Sequence, residues 1–192
     1  MWSFLGIVIL VGAAIYLLRQ RESRDTQVLS HASLTEDQIK QGWRKLGFFC
    51  EIDTDKKVWT LTGSKAGLLY FPDLLLGYVN DPQNAADGSR QHYDPYGSLE
   101  IMTYPDAGFD SHAIRGSLPA LTHLAELVEQ RLVLAEPGEQ IKIREDFAPG
   151  SPFALLLDVR PDGFDPAAAD KERLGATSER RVPRPEGGSS TG

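Results

Sequence analysis

The sequence predicts an α+β domain behind an N-terminal membrane anchor, with a mostly antiparallel sheet of about five strands packed by two main helices. Three observations carry this. An uncharged run, Trp2 to Leu18, is followed at once by Arg19, Arg21 and Arg24. Two segments, 33–46 and 117–134, repeat apolar residues at helical spacing between a capping serine and a glycine or proline stop. Around them, short runs alternate apolar and polar residues and end in turn-forming residues.

The opening run comes first. As a helix rising about 1.5 Å per residue, Trp2 to Leu18 would span about 26 Å, close to a hydrocarbon core about 30 Å thick. Trp2 and Tyr16 fall where amphipathic rings favour the headgroup boundary, and Arg19 can extend its charge to that interface. A buried strand would need only about 4–8 apolar residues. Gly12-Ala13-Ala14 has the spacing of a signal-cleavage site, which would leave a secreted or periplasmic domain. Against that, no Lys or Arg precedes the run, and it stays apolar through Leu18. Arginines on the C-terminal flank alone place the following domain in the cytoplasm by the positive-inside rule. Gly6 and Gly12 are too far apart for a small-xxx-small pairing face, so the helix is expected to be a single-pass tether. The expected organisation is an anchor at 1–18, a basic and polar juxtamembrane linker at 19–31, a globular domain at 32–165 and a disordered polar tail at 166–192.

Within the domain, Ser33 and Glu36 have capping-box spacing, Ile39, Trp43 and Leu46 share a face, and Gly47 ends the first helix. FFCEIDTDKKVWTLTG predicts a β-hairpin turning at TDKK. In LLYFPDLLLGYV, Pro72 predicts a boundary, with a strand or loop to Phe71 and a short helix after it. NDPQNAADGSRQHYDPYGS is expected to be a long polar loop, SLEIMTY a strand and PDAGFDSHAIRG a further loop. SLPALTHLAELVEQRLVLAEPG is the clearest helix, capped by Ser117, with Leu121, Leu124, Leu127, Val128 and Leu132 as its buried stripe. EQIKIRE alternates as a strand, and PFALLLDV suits a central one. Trp43, Trp59, Leu124 and Leu156 are expected to meet in one core. The terminal ERRVPRPEGGSSTG has little to bury.

Charge is unevenly divided. The whole chain carries −7, but residues 25–170 hold 12 basic and 23 acidic residues, a net −11. So acidic a domain repels phosphate backbones, which excludes general nucleic-acid binding and favours a protein partner, a basic one if charge decides. The single cysteine, Cys50, cannot form an internal disulfide and is expected to be a buried small hydrophobe.

Chemistry is sparse. TGSKAG lacks the first glycine of a P-loop and reads as a turn; no Gly-x-Ser-x-Gly elbow and no paired cysteines occur, so no cofactor is expected. Two loop clusters remain. His92 and Asp94 could form an oriented acid–base pair. Asp106, Asp110 and His112 could offer two carboxylates and an imidazole to a metal, although turns use the same residue types. Lying before and after one strand, the clusters are expected about 20 Å apart. His123 falls on the polar face of the second long helix. The expected function is a membrane-tethered, non-enzymatic interaction or regulatory module, for example an immunity-like inhibitor of a basic partner. The alternative is a membrane-tethered hydrolase using the His and Asp loop residues.

Overall fold

The structure is a computed structural model and describes residues 34–170. The expected anchor and linker, with Trp2, Tyr16, Arg19, Arg21 and Arg24, lie outside the described residues, as does the chain from 171 onward. Among the described residues no helix is long and apolar enough to cross a membrane.

The fold is α+β, with two four-stranded sheets in place of the single sheet expected. In chain order the elements are α1 (Glu36–Leu46), β1 (Phe49–Asp53), β2 (Val58–Ser64), the one-turn helix α2 (Lys65–Leu68), α3 (Tyr70–Asn80), β3 (Arg90–His92), β4 (Glu100–Thr103), β5 (Gly108–Phe109), β6 (Ala113–Gly116), α4 (Leu118–Leu134), β7 (Gln140–Ile143) and β8 (Ala154–Arg160). Sheet one has the order β1-β2-β8-β7 and sheet two the order β3-β4-β6-β5. In both, the central pair is parallel and the two outer pairs are antiparallel. The sheets are therefore mixed. A parallel neighbour needs a long crossover, and here the whole of sheet two with α2, α3, α4 and the edge strand β7 lies between β2 and β8.

Local chemistry explains most elements. Gly47, at φ +86°, takes the left-handed position that ends α1, and its N–H bonds the Trp43 carbonyl at 3.0 Å. The β1–β2 turn is closed by the Asp53 carboxylate on the Lys56 N–H at 2.8 Å, with Lys57 at φ 55°. Ser64 accepts from the Gly67 N–H at 3.1 Å, so GSKAG opens a helical turn and not the plain turn expected. Pro72 does not break α3. It sits in the first turn, where its missing N–H would have no intrahelical partner in any case, so the expected boundary at Phe71 is not there. Ser117 caps α4 through the Ala120 N–H at 3.3 Å.

One core joins both sheets and all three long helices. Trp43, Trp59 and Leu124 are fully buried in it, as expected. Leu156 is not: the register Thr60–Leu156–Lys142 places it on the outer face of sheet one, half-buried, while Leu155 and Leu157 point inward. In the seam between the sheets, the buried Ser151 Oγ donates to the Phe109 carbonyl at 2.5 Å and accepts its N–H at 2.6 Å. Trp59 Nε1 donates to the Asp110 carbonyl at 2.7 Å.

Two buried polar nodes fix the periphery. The Tyr78 hydroxyl accepts the Thr103 N–H at 2.9 Å and shares its one proton between the Ser89 carbonyl at 2.7 Å and Thr103 Oγ1 at 2.9 Å. The second lies beyond residue 165, in the stretch read as tail. There Pro166–Ala168 forms a 3-10 turn, and Asp170 Oδ2 accepts from Trp43 Nε1 at 2.8 Å and the Tyr96 hydroxyl at 2.6 Å.

Candidate functional site

Sheet two assembles the candidate site. Its register aligns His92, Glu100 and Ala113 across β3, β4 and β6, and Arg90, Met102, Arg115 and Gly108 across all four strands. Because alternate residues share a face, His92, Glu100, Arg90 and Arg115 all stand on the outer face. Strands lie about 4.8 Å apart, so the row from His92 to Ala113 spans about 10 Å. Of the loop residues expected at opposite ends of a strand, Asp110 and His112 thus stand at the end of sheet two that holds His92, while Asp106, in the turn after β4, stays at the other end. The reason is topological: β4 and β6 are parallel, so the chain doubles back through β5 and starts β6 beside the start of β4.

The residues within the clusters pair differently from expectation. His92 Nδ1 lies 2.7 Å from the Gly97 carbonyl, which can only accept, so the proton is on Nδ1. Its Nε2 then faces Glu100 Oε2 at 3.5 Å, and Arg90 approaches Oε1 of the same carboxylate at 3.8 Å. Glu100 is the most enclosed member, its side chain 13% exposed against 48% for His92. Asp94 does not orient the imidazole. Its buried carboxylate accepts the Leu99 N–H at 2.5 Å, the Ser98 hydroxyl at 2.8 Å and the Tyr96 N–H at 3.2 Å, folding the 94–99 turn that presents Gly97.

Asp110 behaves in the same way. Its Oδ1 accepts from the N–H groups of His112 at 2.8 Å and Ala113 at 2.9 Å, which starts β6. Its Oδ2 is 3.5 Å from Arg115 Nε, an ion-pair distance without hydrogen-bond geometry. The Arg115 guanidinium also lies over the Tyr104 ring, 4.8 Å from its centre. Asp106 and His112 are exposed. Among the described residues no group of three His, Cys, Asp or Glu side chains is placed to hold a metal ion, so Asp106, Asp110 and His112 do not form one.

Elsewhere, Cys50 is 4% exposed, and burial, with Asp94 and Glu51 adding to it, pushes its thiol well above the usual range. It is an unreactive core residue. A cavity of about 380 Å³ lies on the outer face of sheet one between Phe49, Glu51, Arg160 and Phe164, and neither His92 nor His112 lines it. Arg160 is held there by Asp158 at 2.6 Å.

Chemically, the sheet-two face offers one imidazole of set tautomer, a largely enclosed carboxylate beside it, and two guanidiniums. It can move or hold a proton at His92 Nε2. The Ser98 hydroxyl in the adjoining turn is taken up by Asp94. Sequence reasoning missed Glu100 and Arg90 because β3 has only three residues and lies in a stretch whose composition is that of a loop. The alternation of SLEIMTY puts Glu100 opposite Ile101, but its partner appears only once β3 is paired. No family model, curated protein or solved structure matches the chain.

Proposed function

We propose that this protein is a single-pass, membrane-tethered, cytoplasm-facing module that regulates or neutralises a basic protein partner through its acidic surface. The observation that carries the reading is the −11 charge of residues 25–170 and its distribution. All six arginines of the described residues, Arg44, Arg90, Arg115, Arg131, Arg144 and Arg160, are ion-paired. The carboxylates left over still outnumber the lysines of the same residues, so the net field outside the domain is negative, attracts cations and steers a basic partner. The anchor half of the proposal rests on the Trp2 to Leu18 run and its arginine flank.

The test is recovery of partners with the full-length protein from membranes at about 0.1 M and about 1 M salt, where the Debye length falls from about 10 Å to about 3 Å. A basic partner is expected at low salt and lost at high salt; binding indifferent to salt overturns the reading. A reporter fused after Gly192 is expected to be active only as a cytoplasmic one. A second reading, a membrane-tethered hydrolase, is favoured by one observation: His92, Glu100 and Arg90 share the face and end of sheet two that Asp110 and Arg115 occupy. It requires that His92→Ala lower turnover by about 10²-fold or more without unfolding the chain.

A further inference from the structure

We infer that the C-terminal end of α4 is the docking face for the basic partner, and that the segment it receives is a cationic amphipathic helix. This rests on the interaction-module reading and adds a location and a partner chemistry to it. The two most exposed large hydrophobic residues among those described are neighbours there, Leu134 at 82% and Val133 at 61%. Tyr70, 58% exposed, opens α3, which packs on α4. One turn before it, Lys65 Nζ donates to the Val133 carbonyl at 3.3 Å, so the start of α3 and the end of α4 lie together.

Charge selects the occupant. Glu129 and Glu126 are exposed one and two turns back from Val133 on the same side of α4, and Glu136 is exposed just beyond its end. No ion pair is formed by these three carboxylates among the described residues; of the two cations beside the patch, Lys65 is spent on a helix-terminal carbonyl and Arg131, in the last turn of α4, is paired with Asp146 at 2.6 Å. An apolar tip with an uncompensated acidic border complements a helix carrying Leu-type residues on one face and Lys or Arg beside them. The same border repels an anionic leaflet, which disfavours lipid as the occupant.

The experiment titrates full-length protein in phosphatidylcholine nanodiscs with a fluorescent amphipathic Leu/Lys helix of about 18 residues, read by anisotropy and corrected for empty discs. Wild type is expected to bind it and not a Leu/Glu counterpart. Val133→Ser with Leu134→Ser is expected to lower affinity about tenfold or more, since burial of two aliphatic side chains is lost. Glu126→Gln with Glu129→Gln is expected to lower it a few-fold and flatten its salt dependence. All four positions are exposed, so the fold is kept, which the Trp43 and Trp59 fluorescence checks. Unchanged affinity in the serine pair overturns the inference. If that binding is still salt-sensitive, the acidic-module reading survives and only its location falls. Absence of wild-type binding also overturns it, as does a serine pair that alters attachment to phosphatidylserine vesicles while sparing the peptide.

Discussion

Asp170 closes the described fold, and its removal tests how the domain is held. The carboxylate is 2% exposed and takes two donors on Oδ2, the Trp43 indole at 2.8 Å and the Tyr96 hydroxyl at 2.6 Å. Hydrogen bonds to a charged acceptor contribute about 1.5–3 kcal/mol each, and Asp170→Ala leaves the fully buried Trp43 N–H without a partner. The expected loss is about 3–5 kcal/mol, which lowers the unfolding midpoint on the order of 10 °C. Asp170→Asn keeps an oxygen able to accept both donors and loses only the charge assistance, so about 1 kcal/mol is expected. By comparison, the exposed Arg44–Asp165 pair, bidentate at 2.7–3.2 Å, is screened by solvent and Arg44→Ala should cost far less than Asp170→Ala. Urea unfolding of the full chain in micelles, followed by near-UV dichroism of the indoles, measures all three. An alanine variant losing less than about 1 kcal/mol, or an asparagine variant losing as much as alanine, refutes the assignment of the acceptor as the working part.

The remaining predictions concern the core, the alkaline limit and the site. Leu124→Ala should cost about 2–5 kcal/mol and Leu156→Ala under about 1.5, a contrast that equilibrium unfolding reads directly. Tyr93 is pushed up to about 12 by burial, with Tyr78 and Asp81 adding to it. The unfolded phenol ionises near pH 10 and the folded one later, so stability should fall as pH rises from about 10 to about 12. In Tyr93→Phe that part of the slope should vanish in pH-resolved melts. His92→Ala and His112→Ala should leave the fold intact, since both side chains are exposed and neither fills the core; a melting shift above a few degrees would show the 94–99 turn depends on His92.

Legibility followed how locally each element is determined. The two long helices were readable because their caps and stripes lie within the segment: Ser117 and Leu121 to Leu132 for α4, Trp43 and Gly47 for α1. The β1–β2 hairpin was readable for the same reason, its turn being closed by Asp53 on Lys56. β3, β5 and β6 were not. Strands of three, two and four residues carry too little alternation to stand out, and a partner supplies their hydrogen bonds. Pro72 misled because position matters more than identity: the same residue breaks a helix interior and suits its first turn. The histidines were visible as candidates, yet their partners were misassigned. Sequence proximity tied His92 to Asp94, whereas Asp94 is consumed by the backbone of its own turn and the imidazole meets Glu100 across a strand pair.

By itself, then, the sequence determined the α+β class, the acidity of residues 25–170, the buried place of Cys50 and the faces of the long helices. These depend on composition and on interactions within about four residues, where the chain has little choice. Only the tertiary structure decided that there are two sheets, that β2 pairs in parallel with β8 across nearly a hundred residues, and that Asp110 and His112 stand at the His92 end of sheet two. It also decided which side of β8 is core, since Leu155, Leu156 and Leu157 are chemically alike and strand register alone turns the middle one outward. Pairing and register are chosen by the whole set of strands competing for one core, and no local window contains that competition.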